Sequence, residues 1–163
     1  YRKYGTTLFG LMQNYKIDPE EFLIFVHDIN FDKLKISYKL KQKLELLPGK
    51  RIIYTNGDED YASKILNSLG IKSVFNDIFD IRKANYFPKP SKKSFQSLIS
   101  KYRINPYKTV FFDDLERNLK YPNSKGIITI HISKNKNICE SSYVSFRFKT
   151  INNALDMIIK TME

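Results

Sequence analysis

"RIIYTNGDEDYASKILNSLG", residues 51–70, is the stretch that decides the fold class. In its first five residues, "RIIYT", β-branched and aromatic side chains follow Arg51, which reads as a short buried strand. Asn56-Gly57 is a turn dipeptide. The remainder has helical spacing and stops at Gly70, a residue that closes helices readily. Strand followed at once by helix is the unit from which parallel sheets are built.

The same alternation continues to the end of the chain. "DIFDI" (77–81) is predicted as a second strand and "KPSKKSFQSLISKY" (89–102) as a helix with Ser91 as cap. "TVFFDD" (109–114) is a third strand running into a helix through Leu115 to Leu119. "GIITIHI" (126–132) is a fourth strand, "YVSFRF" (143–148) a minor fifth, and "TINNALDMIIKTM" (150–162) a closing helix capped by Thr150. Ahead of Gly49 the texture is different. "TLFGLMQNY" (7–15), "DPEEFLIFVHDI" (18–29) and "SYKLKQKLELL" (37–47) all read as helix. In the second, Asp18 suits the N-cap, Pro19 the first helical position and Glu21 the capping-box position. The third stops at Pro48-Gly49. The expected organisation is therefore a helical segment, residues 1–47, and an α/β segment, residues 48–163.

Composition narrows the class. The 163 residues, 42% hydrophobic with 12 Phe and 11 Tyr, describe a globular chain with one core-forming domain. No apolar run reaches the ~20 residues of a membrane span. One cysteine, Cys139, leaves no internal disulfide and points to a reducing compartment, the cytoplasm. With no His/Cys cluster, a zinc site is not expected. The net charge of +11 comes from lysines scattered through an Ile/Asn/Lys-rich sequence. It reads as compositional bias rather than a nucleic-acid-binding face.

Ligands of open α/β sheets bind at the C-terminal ends of the strands. The first strand ends in Thr55-Asn56-Gly57, the third in Asp113-Asp114 with Asn118 beyond, and Lys89 stands between Pro88 and Pro90 before a helix. A hydroxyl with backbone N–H groups suits phosphate oxygens, and a lysine suits the charge of a phosphoryl group in transfer. Two adjacent carboxylates repel each other unless a cation lies between or beside them. They are hard oxygen ligands of the kind Mg²⁺ accepts. No nucleophile stands at a strand end ahead of Thr55, since Asp18 and Asp28 fall in helical stretches. His27 and His131 have no ligand-type partner nearby in sequence and read as ordinary.

A hydroxyl residue after an apolar strand, then a lysine, then an acid pair resembles the last three motifs of the haloacid dehalogenase (HAD) superfamily. That resemblance implies a Rossmann-like parallel sheet core with a helical cap. It makes Thr55 and Asn56 phosphate-binding, Lys89 the catalytic and phosphate-binding lysine, and Asp114 a direct metal ligand with Asp113 beside it. Asn118, four residues beyond Asp114, is expected on the same helical face, where it would hold the acidic loop. The acid pair resembles the phosphatases, because the true dehalogenases lack it and need no metal. "YGTTLFGLM", "DPEEFLIFVHDI", "LLPGKRIIYTNGD", "LGI" and "PKP", in this order, resemble the pyrimidine 5′-nucleotidase branch. This implies Mg²⁺-dependent hydrolysis of nucleoside monophosphates such as UMP or CMP, with residues 1–47 as cap. The family's first motif, D-x-D-x-T, carries the nucleophile and general acid/base and does not occur in the 163 residues. The chain starts at Tyr1, with its first Met at Met12, so it is expected to be a fragment without turnover of its own. Its strands ending at Thr55 and Asp113 would then lack the partner between them and expose edges.

Two other classes compete. A receiver domain also gathers acids, Thr and Lys around phosphate, but places its acids first in sequence. A non-catalytic basic module binding nucleic acid or phosphate predicts salt-dependent binding.

Overall fold

The computed structural model of the protein describes residues 4–27, 29–31, 33–135 and 141–162. Asp28 and Cys139, both weighed above, lie outside them. The chain divides into two compact units, Tyr1–Ser94 and Phe95–Glu163. Both are α/β with parallel strands, as the alternation predicts.

The first unit opens with three helices, α1 (Thr7–Asn14), α2 (Pro19–Val26) and α3 (Tyr38–Leu46). Each of the first two begins where a short polar side chain can take an orphan N–H. Thr6 Oγ1 accepts from Phe9 N at 3.1 Å, and Asp18 Oδ1 from Glu20 N at 2.8 Å, with Pro19 at the first helical position. Leu8 of α1 and Leu23 of α2 bury themselves against Ile81, with Met12, Ile17, Phe22 and Tyr86 around them. The helical segment thus shares its core with the segment that follows the second strand.

That strand, β2 (Asp77–Phe79), pairs in parallel with β1 (Ile52–Tyr54), Ile52 opposite Asp77 and Tyr54 opposite Phe79. Between them runs α4 (Glu59–Ser68), capped by Asp58, whose Oδ1 accepts from Tyr61 N at 2.7 Å. Gly70 ends this stretch at φ +70°, and a Cβ there would lie 2.9 Å from Ile36 Cγ2. Both the backbone angle and the space therefore require glycine.

α5 (Lys92–Tyr102) carries the chain into the second unit. There β3 (Val110–Asp113), β4 (Ile128–Ile132) and β5 (Phe146–Phe148) form a parallel sheet in that order. Asp113 stands opposite His131, and His131 opposite Arg147. α6 (Lys120–Ser124) and α7 (Ile151–Lys160) complete the unit. Thr150 caps α7 as expected, accepting from Asn153 N at 3.2 Å. Leu119, Ile130, Ala154 and Leu155 are completely buried. Phe95 sets its ring edge-on to Phe111 and Tyr121, with centroids 5.6 and 5.7 Å away.

Two local expectations are corrected. The segment after Asp113-Asp114 is not helix from Leu115. Leu115 is extended, a 3-10 turn spans Glu116–Leu119, and α6 follows. The cause is local: Asp113 Oδ1 takes the Leu115 N–H at 2.9 Å, so the chain turns before it can coil. The strand of Ile52–Tyr54 is half-buried rather than buried. Among the described residues β1 pairs only with β2 and β3 only with β4, so each is an outermost strand.

In the first unit α2 is fastened at both ends. At its start Glu20 accepts two hydrogen bonds from Arg82 Nε and one from Nη2, at 2.6–3.0 Å, and a short one from the Tyr86 hydroxyl. At its end His27 Nδ1 makes a short hydrogen bond to Asp58 while its ring stacks on Tyr61, centroids 4.0 Å apart. The Arg82 guanidinium, then Tyr86, hold the Glu20 carboxyl below its ordinary 4.5. Burial, and the bond given to Glu20, push the Tyr86 hydroxyl up to about 12. Burial raises the Asp58 carboxyl, but the Tyr61 N–H and His27 outweigh it, and the net shift from 3.8 is downward.

A carboxyl depressed in the folded state stabilises above its unfolded value and stops doing so as pH falls through its folded one. The unfolding free energy should therefore fall on acidification below about pH 4.5. Urea titrations at pH 7 and pH 3.5 on wild type and Glu20→Gln/Asp58→Asn would show it. The double variant should lose less on acidification. An equal loss would remove these two carboxylates from the acid response.

Candidate active site

The side chains expected to bind phosphate gather at the C-terminal end of β1. Thr55 follows the strand, its N–H continuing the ladder to Phe79 O at 3.0 Å. Thr55 Oγ1 accepts from Gly57 N at 2.9 Å, which orients the hydroxyl and keeps its own O–H as a donor. Asn56 does something the sequence did not suggest. Its Oδ1 accepts from Lys89 N at 2.7 Å and its Nδ2 donates to Lys89 O at 3.4 Å. The amide therefore clamps the Lys89 backbone, and a phosphate would meet the backbone of Asn56 rather than its side chain.

Lys89 is held from several directions. Pro88 and Pro90 flank it, and the Lys89–Pro90 peptide is cis. Gly5, at φ +81°, comes so close that a Cβ there would lie 3.2 Å from Lys89 O and from the Pro88 ring. The Lys89 ammonium donates to Tyr54 O, the last carbonyl of β1, at 3.0 Å, and sits 5.1 Å from the Tyr54 ring centroid. A cation over an aromatic face is attracted by its quadrupole. Thr55, Asn56 and Lys89 thus form one cluster within the first unit.

The acidic loop belongs to the second unit. Asp113 ends β3 with 6% exposure, whereas Asp114 is exposed. Asp113 Oδ1 accepts from Leu115 N at 2.9 Å and from Asn118 Nδ2 at 2.8 Å. Asn118 therefore holds the loop through Asp113 and from a 3-10 turn, not by sharing a helical face with Asp114. Its own Oδ1, in a residue 5% exposed, is buried without a hydrogen-bond partner among the described residues. A buried amide oxygen left so is destabilising by about 1–3 kcal/mol unless a donor, a water or a cation meets it.

These donors suit magnesium. All are hard oxygens, one carboxylate is fixed and the next is accessible, and an acceptor beside them lacks a partner. No group of three or more His, Cys, Asp or Glu side chains arranged for a metal occurs among the described residues. Mg²⁺ does not need one, since it binds through one or two carboxylates and retains several waters.

Both histidines, read from sequence as ordinary, have partners far along the chain: His27 bonds Asp58, and His131 bonds the Asp114 carbonyl and Arg147. Glu116 was also missed. It accepts from Arg147 Nη1 at 2.9 Å, from Tyr143 at 3.3 Å, and through a short bond from Ser141. Ser141 and Arg147 hold its carboxyl below the ordinary range. No local sequence signal marked His131 or Arg147; the register of the assembled sheet sets His131 opposite Asp113 and Arg147 opposite His131.

A parallel α/β fold with an acidic loop at a strand end defines a phosphate- or metal-handling class of protein, and the family match narrows it to hydrolases. Residues 10–120 match the model of the haloacid dehalogenase-like hydrolases, and the chain belongs to that family. Among solved structures it resembles the L-2-haloacid dehalogenase of Xanthobacter autotrophicus with chloropropionic acid covalently bound, at 16% identity and TM-score 0.62, over 74% of this chain and 60% of that one. It resembles a HAD phosphatase from Thermococcus onnurineus at 19% identity and TM-score 0.61, over 98% and 71%. It also resembles a protein of Bacillus subtilis, described as a HAD-hydrolase bound to magnesium, at 16% identity and TM-score 0.66, over 97% and 72%. At these identities the likeness is one of fold. The chain spans about 60% of the length of the Xanthobacter dehalogenase. No curated protein matches it. No helix among the described residues is long and apolar enough to cross a membrane.

Proposed function

We propose that the chain is the phosphate- and metal-binding part of a Mg²⁺-dependent phosphomonoesterase, acting on pyrimidine nucleoside 5′-monophosphates such as UMP and CMP in the cytoplasm. The observation that carries this reading is the acidic loop: a fixed buried carboxylate, an exposed one beside it and an unmet amide oxygen. A dehalogenase has no use for that donor set. The pyrimidine preference rests on the N-terminal segments from "YGTTLFGLM" to "PKP", with residues 1–47 as cap and 48–163 as core.

In this reading Thr55 O–H and the backbone N–H groups around Asn56 donate to phosphoryl oxygens. Lys89 offsets their growing charge, and Asn56 keeps Lys89 in place. Asp114 and Asp113 hold the cation. A magnesium ion held there would supply fixed positive charge of the kind phosphoryl chemistry uses. The attacking carboxylate of an aspartyl-phosphate route is left to a D-x-D-x-T segment outside these 163 residues.

With such a segment fused ahead of Tyr1, the protein should release phosphate from UMP and CMP in Mg²⁺. Activity should vanish with EDTA and fall on Asp114→Asn, while the 163-residue chain alone should show none. Turnover indifferent to EDTA, or halide release from 2-haloacids, would reject the reading.

A further inference from the structure

The acidic loop is fastened to the neighbouring strands by a relay that the reading above leaves unused. His131, 3% exposed in β4, places Nε2 3.0 Å from the backbone carbonyl of Asp114. A carbonyl only accepts, so Nε2 carries the proton. Arg147 of β5 places Nη1 2.6 Å from His131 Nδ1. A guanidinium only donates, so Nδ1 accepts. The same Arg147 nitrogen donates to Glu116 Oε2 at 2.9 Å, and Glu116 belongs to the turn just beyond the acid pair.

The consequence is geometric. Fixing the Asp114 carbonyl fixes the peptide plane between Asp114 and Leu115, and with it the direction from which the Asp114 side chain leaves the backbone. Asp113 fixes the next N–H by accepting from Leu115. The exposed Asp114 carboxylate is thus aimed through its main chain. We propose that His131, held in its Nε2–H tautomer by Arg147, is a positioning residue for the Asp114 carboxylate and sets the loop's affinity for a divalent cation. This rests on the metal reading of the loop.

Losing an outer partner of a metal ligand typically weakens the metal by about 10–100-fold. The test is Mn²⁺ binding to the purified chain, followed by EPR, in wild type and three variants. His131→Phe should weaken Mn²⁺ by about 10–100-fold. His131→Gln, whose amide N–H falls near the lost Nε2, should recover to within about threefold, a difference of the size of a single weak contact. His131→Asn, which reaches only the Nδ1 position, should not recover. Gln and Asn behaving alike, or no change in any variant, would overturn the proposal, and the Gln/Asn contrast stands even if the Phe variant fails to fold.

NMR of the wild-type chain supplies an independent arm. His131 should show the Nε2–H tautomer, and the Asp114 carbonyl resonance should shift in His131→Asn but not in His131→Gln. An Nδ1–H tautomer, or an unmoved carbonyl, overturns the positioning role. If wild type binds no Mn²⁺ but the NMR pattern is as expected, the metal reading fails while His131 still positions the loop.

Discussion

Lys89→Ala should lower kcat for UMP hydrolysis by about 10²–10³-fold in the protein bearing a fused D-x-D-x-T segment, because removing a preorganised charge-stabilising group costs about 2.7–4 kcal/mol of barrier. The number depends on preorganisation, and the surroundings of Lys89 supply it. The Asn56 amide fixes its backbone by accepting from its N–H and donating to its carbonyl, two prolines stiffen the chain about it, and Gly5 packs against its carbonyl. Its ammonium already sits at the last carbonyl of β1, over the Tyr54 ring. Little reorganisation is then needed when charge develops. An interaction made chiefly in the transition state should reduce kcat and kcat/KM together, with KM little changed. Steady-state kinetics with UMP reads both. A fall under threefold would remove Lys89 from the chemistry, and a rise in KM alone would make it a ground-state binder.

The reach of the sequence followed the range of each signal. Asp18 and Thr150 were legible as caps because the N–H groups they accept lie two or three residues away. Thr55 and Asp113 were legible as strand-end residues because the strand–helix alternation locates strand ends, and Lys89 as a residue between two prolines ahead of a helix. What each side chain does there was not. Asn56 resembles a turn residue in sequence, yet its amide pairs with a backbone 33 positions away. Asn118 was expected near Asp114 on a helix, but the Asp113–Leu115 bond redirects the chain and brings Asn118 to Asp113. His131 gives no local hint at all. Its partners come from the register of β3, β4 and β5, and register is a property of the assembled sheet. The half-burial of β1 has the same origin: residue types announce a strand but not how many neighbours flank it.

The stability of the first unit should depend most on Phe79, because that ring joins the core to the lysine cluster. Phe79 is 1% exposed, between Ile78 and Ile81, which are equally buried one and two positions away. Its ring stands edge-on to Tyr54, centroids 5.4 Å apart at 71°. Tyr54 in turn lies beneath the Lys89 ammonium and bonds Ser94 Oγ at 2.5 Å. Phe79→Ala removes the ring from a close-packed site at a cost of about 3–5 kcal/mol, from lost burial and from the cavity left behind. Phe79→Leu keeps most of the volume and should cost under about 1.5 kcal/mol. Phe25→Ala, at a position 83% exposed, should stay within about 0.5 kcal/mol of wild type. Urea midpoints for the three variants read this ordering directly. Tyr54 should also lose the wall that sets its tilt, so the Lys89 side-chain resonances should move in Phe79→Ala and stay put in Phe25→Ala. If Phe79→Ala were no worse than Phe25→Ala, the core of this unit would not run through Phe79, and the support it gives to Tyr54 and Lys89 would have to come from elsewhere.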